Sequence, residues 1–322
     1  MRSLVRAFAA ISSLSLIACS TSDIDRSATR VGEEAAEEVS SDDGQRPANA
    51  STTVLGSTAP TSSVSRTTES PSPKLAVPEG GDWEIVFFDD FNGDTLRDDW
   101  NTCHWWQVDG GCTIGSNDEQ QWYRPEAVSL GEGDLRLRAT ADPQLTTDGD
   151  SLPFRSGMVT TGPVDDSDET SSFAFTYGEV SVRAMVPTGD GTWPAVWLLS
   201  ADKTSLPEID IVEWHGKRPD LVTSHVHNRV EGERATERVE SSVEDFAGEW
   251  HVFRATWLPD RVVFAIDGVE TGRVTDPSLI PSTPMYLVAN LALGGPAGPV
   301  DDDRLPLTFR IDEIVVSKWS GT

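Results

Sequence analysis

Hydrophobic and polar residues alternate with a period of two in several short segments, and each segment ends near Gly, Pro or Asp. The segments are Trp83 to Phe88, Asp134 to Ala139, Glu179 to Val186, Trp250 to Trp257, Arg261 to Ile266, Met285 to Leu293 and Phe309 to Val316. Successive side chains of a β-strand point to opposite faces, so this alternation predicts half-buried strands. No window carries a sustained helical stripe. Short strands at this density predict an all-β sandwich.

The N-terminal part of the chain has a different composition. No aromatic residue occurs from Ser20 to Asp82, whereas all 11 tryptophans lie between Trp83 and Trp319. A segment dominated by Ser, Thr, Glu, Asp and Pro cannot bury enough apolar surface to offset the entropy lost on ordering. We therefore expect a disordered stalk over residues 19–82 and one all-β domain over residues 83–322.

Residues 1–18 resemble the signal peptide of a bacterial lipoprotein. Arg2 and Arg6 precede a short apolar run that is too brief to span a bilayer, and the run ends in Leu16-Ile17-Ala18-Cys19. Cleavage before Cys19 and lipidation of that residue would give an extracellular or cell-envelope protein, anchored to a bacterial membrane only through its lipid. An ordinary secretory signal that is cleaved nearby is the alternative.

Three carboxylates lie on one short segment that otherwise resembles a buried strand, Glu208-Ile209-Asp210-Ile211-Val212-Glu213. Glu208 and Asp210 share a face, and Glu213 joins them only if Ile211-Val212 forms a β-bulge, a feature over-represented beside active sites. Like charges on one face repel each other, which a purely structural strand would avoid. Two carboxylates flanking one bond are what glycoside hydrolysis requires. The alternative is an edge strand that carries solvated acids.

Two tryptophans precede the acidic strand in Thr192-Trp193-Pro194-Ala195-Val196-Trp197. Trp193 and Trp197 share a strand face by alternation, and aromatic rings pack well against the apolar faces of sugars. They could equally be core tryptophans of the sheet.

These segments resemble glycoside hydrolase family 16, in particular its laminarinase-like branch with the strand motif E-x-D-x-x-E. Further segments follow in the family order: Asp89-Asp90-Phe91-Asn92-Gly93, Asn117-Asp118-Glu119-Gln120-Gln121-Trp122-Tyr123, Ser156-Gly157, Phe175-Thr176-Tyr177-Gly178, Trp193-Pro194-Ala195-Val196-Trp197 and Asn290-Leu291-Ala292-Leu293-Gly294-Gly295. The resemblance runs from about residue 83 to 319. It implies a concanavalin A-like jelly roll of two curved antiparallel sheets.

The resemblance also implies roles for individual residues. Glu208 would be the nucleophile, Asp210 its tuning neighbour and Glu213 the acid/base, with the anionic Glu208 raising the pKa of Glu213. Some members bind a structural calcium ion through an Asp near the last strand, for which Asp312 is the candidate, although a solvated acid explains it equally well. The expected substrate-binding residues are Trp193, Trp197, His227, Trp122, Tyr123 and Asn290.

Two histidines alternate with valine in His225-Val226-His227 and so share one strand face. His227 best matches a family histidine near the acids, with His225 in place of a smaller polar residue. A hydrogen-bonded sheet histidine is the simpler interpretation of either. We do not expect a metal role without further ligands.

The chain carries 25 Lys and Arg against 53 Asp and Glu, a formal net charge of −28. This charge argues against nucleic acid, whose phosphates require a cationic surface. An anionic galactan or alginate would be repelled unless a local basic groove exists, and the sequence shows no Lys/Arg cluster. We therefore expect a neutral polysaccharide as substrate. We also expect the protein to be a monomer.

Three cysteines are present, and two remain if Cys19 is lipidated. In an oxidising compartment, Cys103 and Cys112 are expected to form a disulfide across a short loop. A zinc site is not expected, because further ligands at suitable spacing are missing.

The sequence thus predicts an endo-acting, retaining hydrolase of β-1,3 or mixed β-1,3/1,4 glucan that requires no cofactor. Two alternatives stay open. A lectin-like binding protein would use the same sandwich without chemistry and would not need both Glu208 and Glu213. A cell-wall transglycosylase would use the same acids and differ in how well its cleft excludes water.

Overall fold

The computed structural model describes residues 74–75, 78, 82–106, 112–146, 149–167, 170–244 and 246–319. Besides four three-residue 3₁₀ helices, Gly115–Asn117, Pro125–Ala127, Gly295–Ala297 and Asp302–Arg304, these residues form 18 strands. The strands are β1 Trp83–Asp89, β2 Gln121–Tyr123, β3 Val128–Gly131, β4 Asp134–Ala139, β5 Gln144–Leu145, β6 Ser151–Leu152, β7 Phe154–Ser156, β8 Met158–Thr160, β9 Gly178–Met185, β10 Thr192–Ser200, β11 Glu208–Trp214, β12 Leu221–Val230, β13 Glu233–Ser242, β14 His251–Leu258, β15 Arg261–Ile266, β16 Val269–Val274, β17 Met285–Leu293 and β18 Leu307–Trp319.

Two antiparallel sheets account for most of these strands. The larger sheet has the order β16-β15-β14-β9-β18-β4-β3, with β1 also paired to β18, and the smaller has the order β13-β12-β11-β10-β17-β8. One hydrophobic core joins them, since it contains Val196 and Ile209 of the smaller sheet and Phe253 and Ile314 of the larger. The predicted all-β jelly-roll sandwich is confirmed.

The period-two pattern located the strands well. Asp134–Ala139, Arg261–Ile266 and Met285–Leu293 have the predicted bounds, whereas the last strand runs longer than predicted, over Leu307–Trp319. Asp267 and Gly268 both have positive φ between β15 and β16. That conformation matches the twist of a two-residue hairpin turn, for which Asp-Gly is a preferred sequence.

The folded domain begins before the predicted boundary at residue 83. Leu75 is buried, and the backbone N–H groups of Lys74 and Leu75 donate to the carboxylate of Glu313 at 2.9 and 2.8 Å. These two residues therefore belong to the domain and not to the stalk. Two backbone N–H groups that bind one buried carboxylate leave no signature in the sequence, which explains the error.

Most of the predicted stalk, the signal peptide and Cys19 lie outside the described residues, so lipidation of Cys19 stays a prediction. Within the described part of the chain, no helix has the length and apolar character needed to cross a membrane.

Candidate active site

A cleft of about 680 Å³ lies on the face of the smaller sheet that points away from the core. Side chains of β10, β11, β12, β13 and β17 line it, together with residues of four segments between strands, which include Trp105, Lys203, His215 and Pro296. The three acids of β11 all point into this cleft.

A β-bulge brings the third acid to the cleft, as predicted. Between Asp210 and Glu213 the register with β12 shifts, because Ile211 and Val212 face a single residue of that strand. Both Ile211 and Val212 are buried in the core. The extra residue turns the side chain of Glu213 to the same face of the sheet as Glu208 and Asp210.

Glu208 and Asp210 form the first half of the site with His227. Burial and the neighbouring Asp210 charge raise the pKa of Glu208 to about 8, and burial raises the pKa of Asp210 well above its usual range. His227 Nε2 lies 3.0 Å from Asp210 Oδ2 and 3.5 Å from Glu208 Oε1, while Nδ1 lies 2.6 Å from Thr236 Oγ1. The expected position of His227 beside the acids is confirmed.

Glu213 has a different environment. The indole N–H of Trp193 donates to Glu213 Oε1 at 2.8 Å, and His225 Nδ1 lies 2.6 Å from Oε2. Burial acts to raise the pKa of Glu213, but these two partners, His225 foremost, hold it below its usual value. This corrects the expectation that Glu208 raises the pKa of Glu213, because His225 contacts Glu213 more closely than the sequence indicated.

Trp193 and Trp197 both line the cleft, as predicted. The Trp197 indole N–H donates to Asn290 Oδ1 at 2.7 Å, and the Asn290 amide donates to the Tyr123 hydroxyl at 2.9 Å. Asn290 also lines the cleft, but Trp122 and Tyr123 are buried and do not. The assignment of these two to substrate is wrong, because β2 pairs with β7 outside the cleft and its side chains are covered.

Cys103 and Cys112 are thiols in the structure, without the predicted disulfide. Burial and the adjacent Cys103 raise the pKa of the Cys112 thiol. Its sulfur lies 3.6 Å from Met158 Sδ and accepts the backbone N–H of His104 at 3.4 Å. Because disulfide formation proceeds through a thiolate, the raised pKa of Cys112 slows this reaction.

The loop that contains these cysteines contributes two aromatic residues to the cleft. Trp105 and Trp106 line it, with Trp106 stacked on His104 at a centroid distance of 4.2 Å. Burial lowers the pKa of His104 to about 3, so this imidazole is neutral at ordinary pH. The adjacent tryptophans were visible in the sequence, but nothing there indicated that the loop folds over the sheet.

Basic residues also line the cleft, contrary to the sequence expectation. Arg234, Arg238 and Lys203 are among its lining residues, and Arg234 Nη2 lies 3.6 Å from Glu208 Oε1. Arg234, Thr236 and Arg238 alternate along β13, which pairs with the histidine-bearing β12. The alternation of Arg234 and Arg238 was visible in the sequence. These two residues and Lys203 are separated along the chain, however, and so do not form a cluster in the linear sequence.

Asp312 does not fit a calcium site. Its Oδ1 pairs with Lys74 Nζ at 2.8 Å and its Oδ2 with Arg183 Nη1 at 2.9 Å. Calcium requires six to eight oxygen ligands, typically with several carboxylates, whereas both oxygens of Asp312 are ion-paired with cations. The candidate metal role of Asp312 is therefore wrong.

A different group has metal-compatible geometry. Among the described residues, Asp210, His225 and His227 place their ligand atoms within 4.8 Å of one another. Asp210 supplies the third ligand that the two histidines lacked in the sequence. Two imidazoles and a carboxylate are a donor set that zinc or copper accepts.

Glu119 is a buried carboxylate at the edge of the cleft. It accepts hydrogen bonds from the backbone of Ile114 at 3.2 Å and the side chains of Asn117 and Gln121 at 3.4 and 2.6 Å. Burial nevertheless raises its pKa from 4.5 to about 7. Since the folded pKa exceeds the unfolded one, the protonated form stabilises the fold below about pH 4.5, and that contribution is lost as the pH rises through 7.

We expect Glu119→Gln to flatten the dependence of stability on pH. The shift in pKa corresponds to about 3 kcal/mol of unfolding free energy between the acidic and alkaline limits. Denaturant unfolding at a series of pH values measures it, with the exposed Glu126→Gln as the matched control. An unchanged slope between pH 4.5 and 7 in Glu119→Gln would contradict the assignment.

Two family models match the chain. The model described as glycosyl hydrolases family 16 matches residues 135–304, which include β9 to β17 and the three acids. A second model, described as beta-glucan synthesis-associated protein SKN1/KRE6/Sbg1, matches residues 24–202.

Individual relatives agree with the first match. Endo-1,3-1,4-beta-glycanase EglC of Rhizobium meliloti is 36% identical over 231 residues, which cover 67% of this chain and 48% of EglC. A beta-glucanase of Rhodothermus marinus is 30% identical over 262 residues, which cover 74% of this chain and 86% of the relative. The laminarinase catalytic domain of Thermotoga maritima superposes with a TM-score of 0.64 at 25% identity, covering 74% of this chain and 100% of that domain. The chain spans about half the length of EglC.

Proposed function

The chain belongs to glycosyl hydrolase family 16, and from this premise we propose that it is an endo-acting, retaining hydrolase of β-1,3 or mixed β-1,3/1,4 glucan. The observation that carries the proposal is the placement of Glu208 and Glu213 on one face of the cleft, where the bulge at Ile211-Val212 brings them together. Two carboxylates that can flank one glycosidic bond are what the nucleophilic and acid/base roles require.

The proposed reaction proceeds in two displacements. Glu208 attacks the anomeric carbon and forms a glycosyl ester, while the bond to the departing oxygen breaks and Glu213 gives that oxygen a proton. Glu213, now anionic, then takes a proton from water as the water oxygen bonds to the anomeric carbon. This second step breaks the ester, returns Glu208 as a carboxylate and restores the proton on Glu213.

The free site holds its protons in a different arrangement. The pKa of about 8 favours protonated Glu208, whereas His225 and Trp193 favour ionised Glu213. The reactive form has the opposite distribution but the same number of protons, so both forms occupy the same pH window and the pair titrates as a unit. His227 contacts Asp210 and lies 3.5 Å from Glu208 Oε1, so His227 and Asp210 are placed to orient Glu208.

The lining of the cleft supports a polysaccharide as substrate. Trp105, Trp106, Trp193 and Trp197 supply aromatic rings, on which sugar rings pack through their C–H faces. The lining extends beyond the strand that carries both acids, since it includes Lys203 of the loop before β11 and Pro296 of the 3₁₀ helix after β17. A cleft that extends past the reacting pair supports internal cleavage of a long chain.

Transglycosylation of β-glucan is the second candidate function. The match to a beta-glucan synthesis-associated model over residues 24–202 favours it. It would use the same first step, after which a sugar hydroxyl instead of water attacks the glycosyl ester.

A panel of purified polysaccharides tests the proposed function. Incubation with laminarin, lichenan, hydroxyethyl cellulose and agarose should yield short oligosaccharides from the first two and a fall in viscosity before most reducing ends appear. Products longer than added oligosaccharide acceptors would favour transglycosylation. Activity on agarose alone would remove the β-glucan assignment but retain the two-acid mechanism, and inactivity on every substrate would reject both.

A further inference from the structure

The cleft continues beyond Glu213 into a second cavity of about 230 Å³, here called the distal cavity. Lys217, Arg218 and Arg238 line it together with Glu213 and Pro296. Glu213, Arg238 and Pro296 line the main cleft as well. A glycan bound across the acids would therefore reach the distal cavity without leaving the cleft.

The charge of the distal cavity is opposite to that of the whole chain. Three cationic side chains line it, against the single carboxylate of Glu213, whose oxygens contact Trp193 and His225. The chain as a whole carries −28. Since charges are screened over about 8 Å at physiological ionic strength, the distant acids that make up most of this net charge contribute little inside the cavity. Asp220 and Glu240, which pair with its two arginines, are not among the residues that line the cavity.

The two arginines retain capacity to bind a ligand. Arg218 pairs with Asp220 at 3.1 Å and Arg238 with Glu240 at 3.1 Å, and all four side chains are about half exposed. Such exposed ion pairs contribute little to stability, so an anion of the ligand can replace the carboxylate in either pair. A guanidinium also has five N–H donors in a planar fork, so donors remain for a second anion.

The loop between β11 and β12 that carries Lys217 and Arg218 is held in place. The backbone N–H of Gly216 donates to Thr192 O at 2.9 Å, and a Cβ at Gly216 would lie only 1.7 Å from Gly189 O. This close packing against the neighbouring loop fixes the backbone that carries the cations before a ligand binds, which reduces the backbone entropy lost on binding.

We propose that the distal cavity binds an anionic substituent, a carboxylate or a sulfate, on a sugar unit of the glycan that lies beyond Glu213. The proposal rests on the glycan hydrolase function proposed above and narrows its substrate to β-glucans that carry acidic groups. Both anions match the fork of an arginine, which forms paired, charge-assisted hydrogen bonds with them. The repulsion expected from net charge does not apply at this position.

The test compares kcat/KM for laminarin with that for lightly carboxymethylated and lightly sulfated laminarin. The wild-type protein should prefer at least one charged form, and Arg218→Gln and Arg238→Gln should each lower the ratio of charged to neutral kcat/KM by about fivefold. Arg273→Gln is the matched control, since Arg273 is a half-exposed arginine paired with Glu270 on the other sheet. The preference should also shrink in about 1 M salt, where the screening length is about 3 Å.

The outcomes separate this proposal from the proposed function. Hydrolysis of neutral laminarin with the same charged-to-neutral ratio in wild type, Arg218→Gln and Arg238→Gln would overturn the anionic subsite and retain the hydrolase. Inactivity on all three substrates would overturn the hydrolase. Calorimetric binding of charged and neutral oligosaccharides to Glu208→Gln then decides the subsite alone: equal affinities reject it, and tighter binding of a charged form that Arg218→Gln abolishes supports it.

Discussion

Replacing Glu208 with glutamine should lower kcat on the preferred β-glucan by about four orders of magnitude or more, because the amide cannot form the glycosyl ester. The fold should tolerate the change. Burial already favours the neutral form of this side chain, raising its pKa to about 8, and the amide removes repulsion with Asp210. The unfolding temperature should therefore not fall.

Steady-state kinetics and thermal unfolding of the same preparation measure both effects. Glu233→Gln, which replaces an exposed carboxylate on β13, is the control and should retain full activity. Near wild-type turnover in Glu208→Gln would exclude Glu208 as the nucleophile. Loss of activity together with a large drop in unfolding temperature would indicate a structural role instead.

Replacing Glu213 with glutamine should lower kcat on β-glucan by about 10²- to 10⁴-fold, the usual contribution of an acid/base group. An activated aryl β-glucoside oligosaccharide should lose less in the first step, because its leaving group needs no proton. Azide should then accelerate turnover by attacking the glycosyl ester without a general base. The product should be a β-glycosyl azide.

Glu208→Gln is the control for this rescue, since it forms no glycosyl ester and azide should not yield the β-azide with it. Stability offers a second contrast. Glu213 accepts the Trp193 indole N–H and contacts His225 as a carboxylate of lowered pKa, so Glu213→Gln should lower the unfolding temperature where Glu208→Gln does not. Formation of the β-glycosyl azide by Glu208→Gln, with none formed by Glu213→Gln, would reverse the two roles.

The local sequence pattern was sufficient to predict the features that depend on strand geometry. Glu213 could share a strand face with Glu208 only if a bulge formed at Ile211-Val212, and the structure has a bulge there. Alternation likewise placed Trp193 and Trp197 on the face that lines the cleft. These features follow from the two-residue repeat of a strand, which is fixed within one segment.

Features that depend on contacts between distant segments were not predictable in the same way. Tyr123 supports Asn290 from beneath the cleft, and whether it touches substrate depends on how β2 packs. The pKa of Glu213 depends on His225, which is brought to 2.6 Å by the register of a neighbouring strand. Asp312 is engaged by Lys74, more than two hundred positions away in the chain.

The charge of the cleft was likewise not predictable from the sequence, because it depends on residues from distant segments. Net charge and the search for basic clusters both favoured a neutral substrate, yet Arg234 and Arg238 of β13 and the loop cations Lys217 and Arg218 converge along the cleft and its distal cavity. None of these residues makes a run long enough to stand out in the sequence. A cleft collects charge from several strands, so its local sign is a property of the fold.

The central claim, a retaining double displacement by Glu208 and Glu213, is tested most directly by proton NMR during the first minutes of laminarin hydrolysis. Two inversions at the anomeric carbon restore its configuration, so the signal of the β anomer should appear first and the α anomer should grow only as the product mutarotates. Initial appearance of the α anomer would contradict the account, because it would require water to attack directly with Glu208 acting as a base.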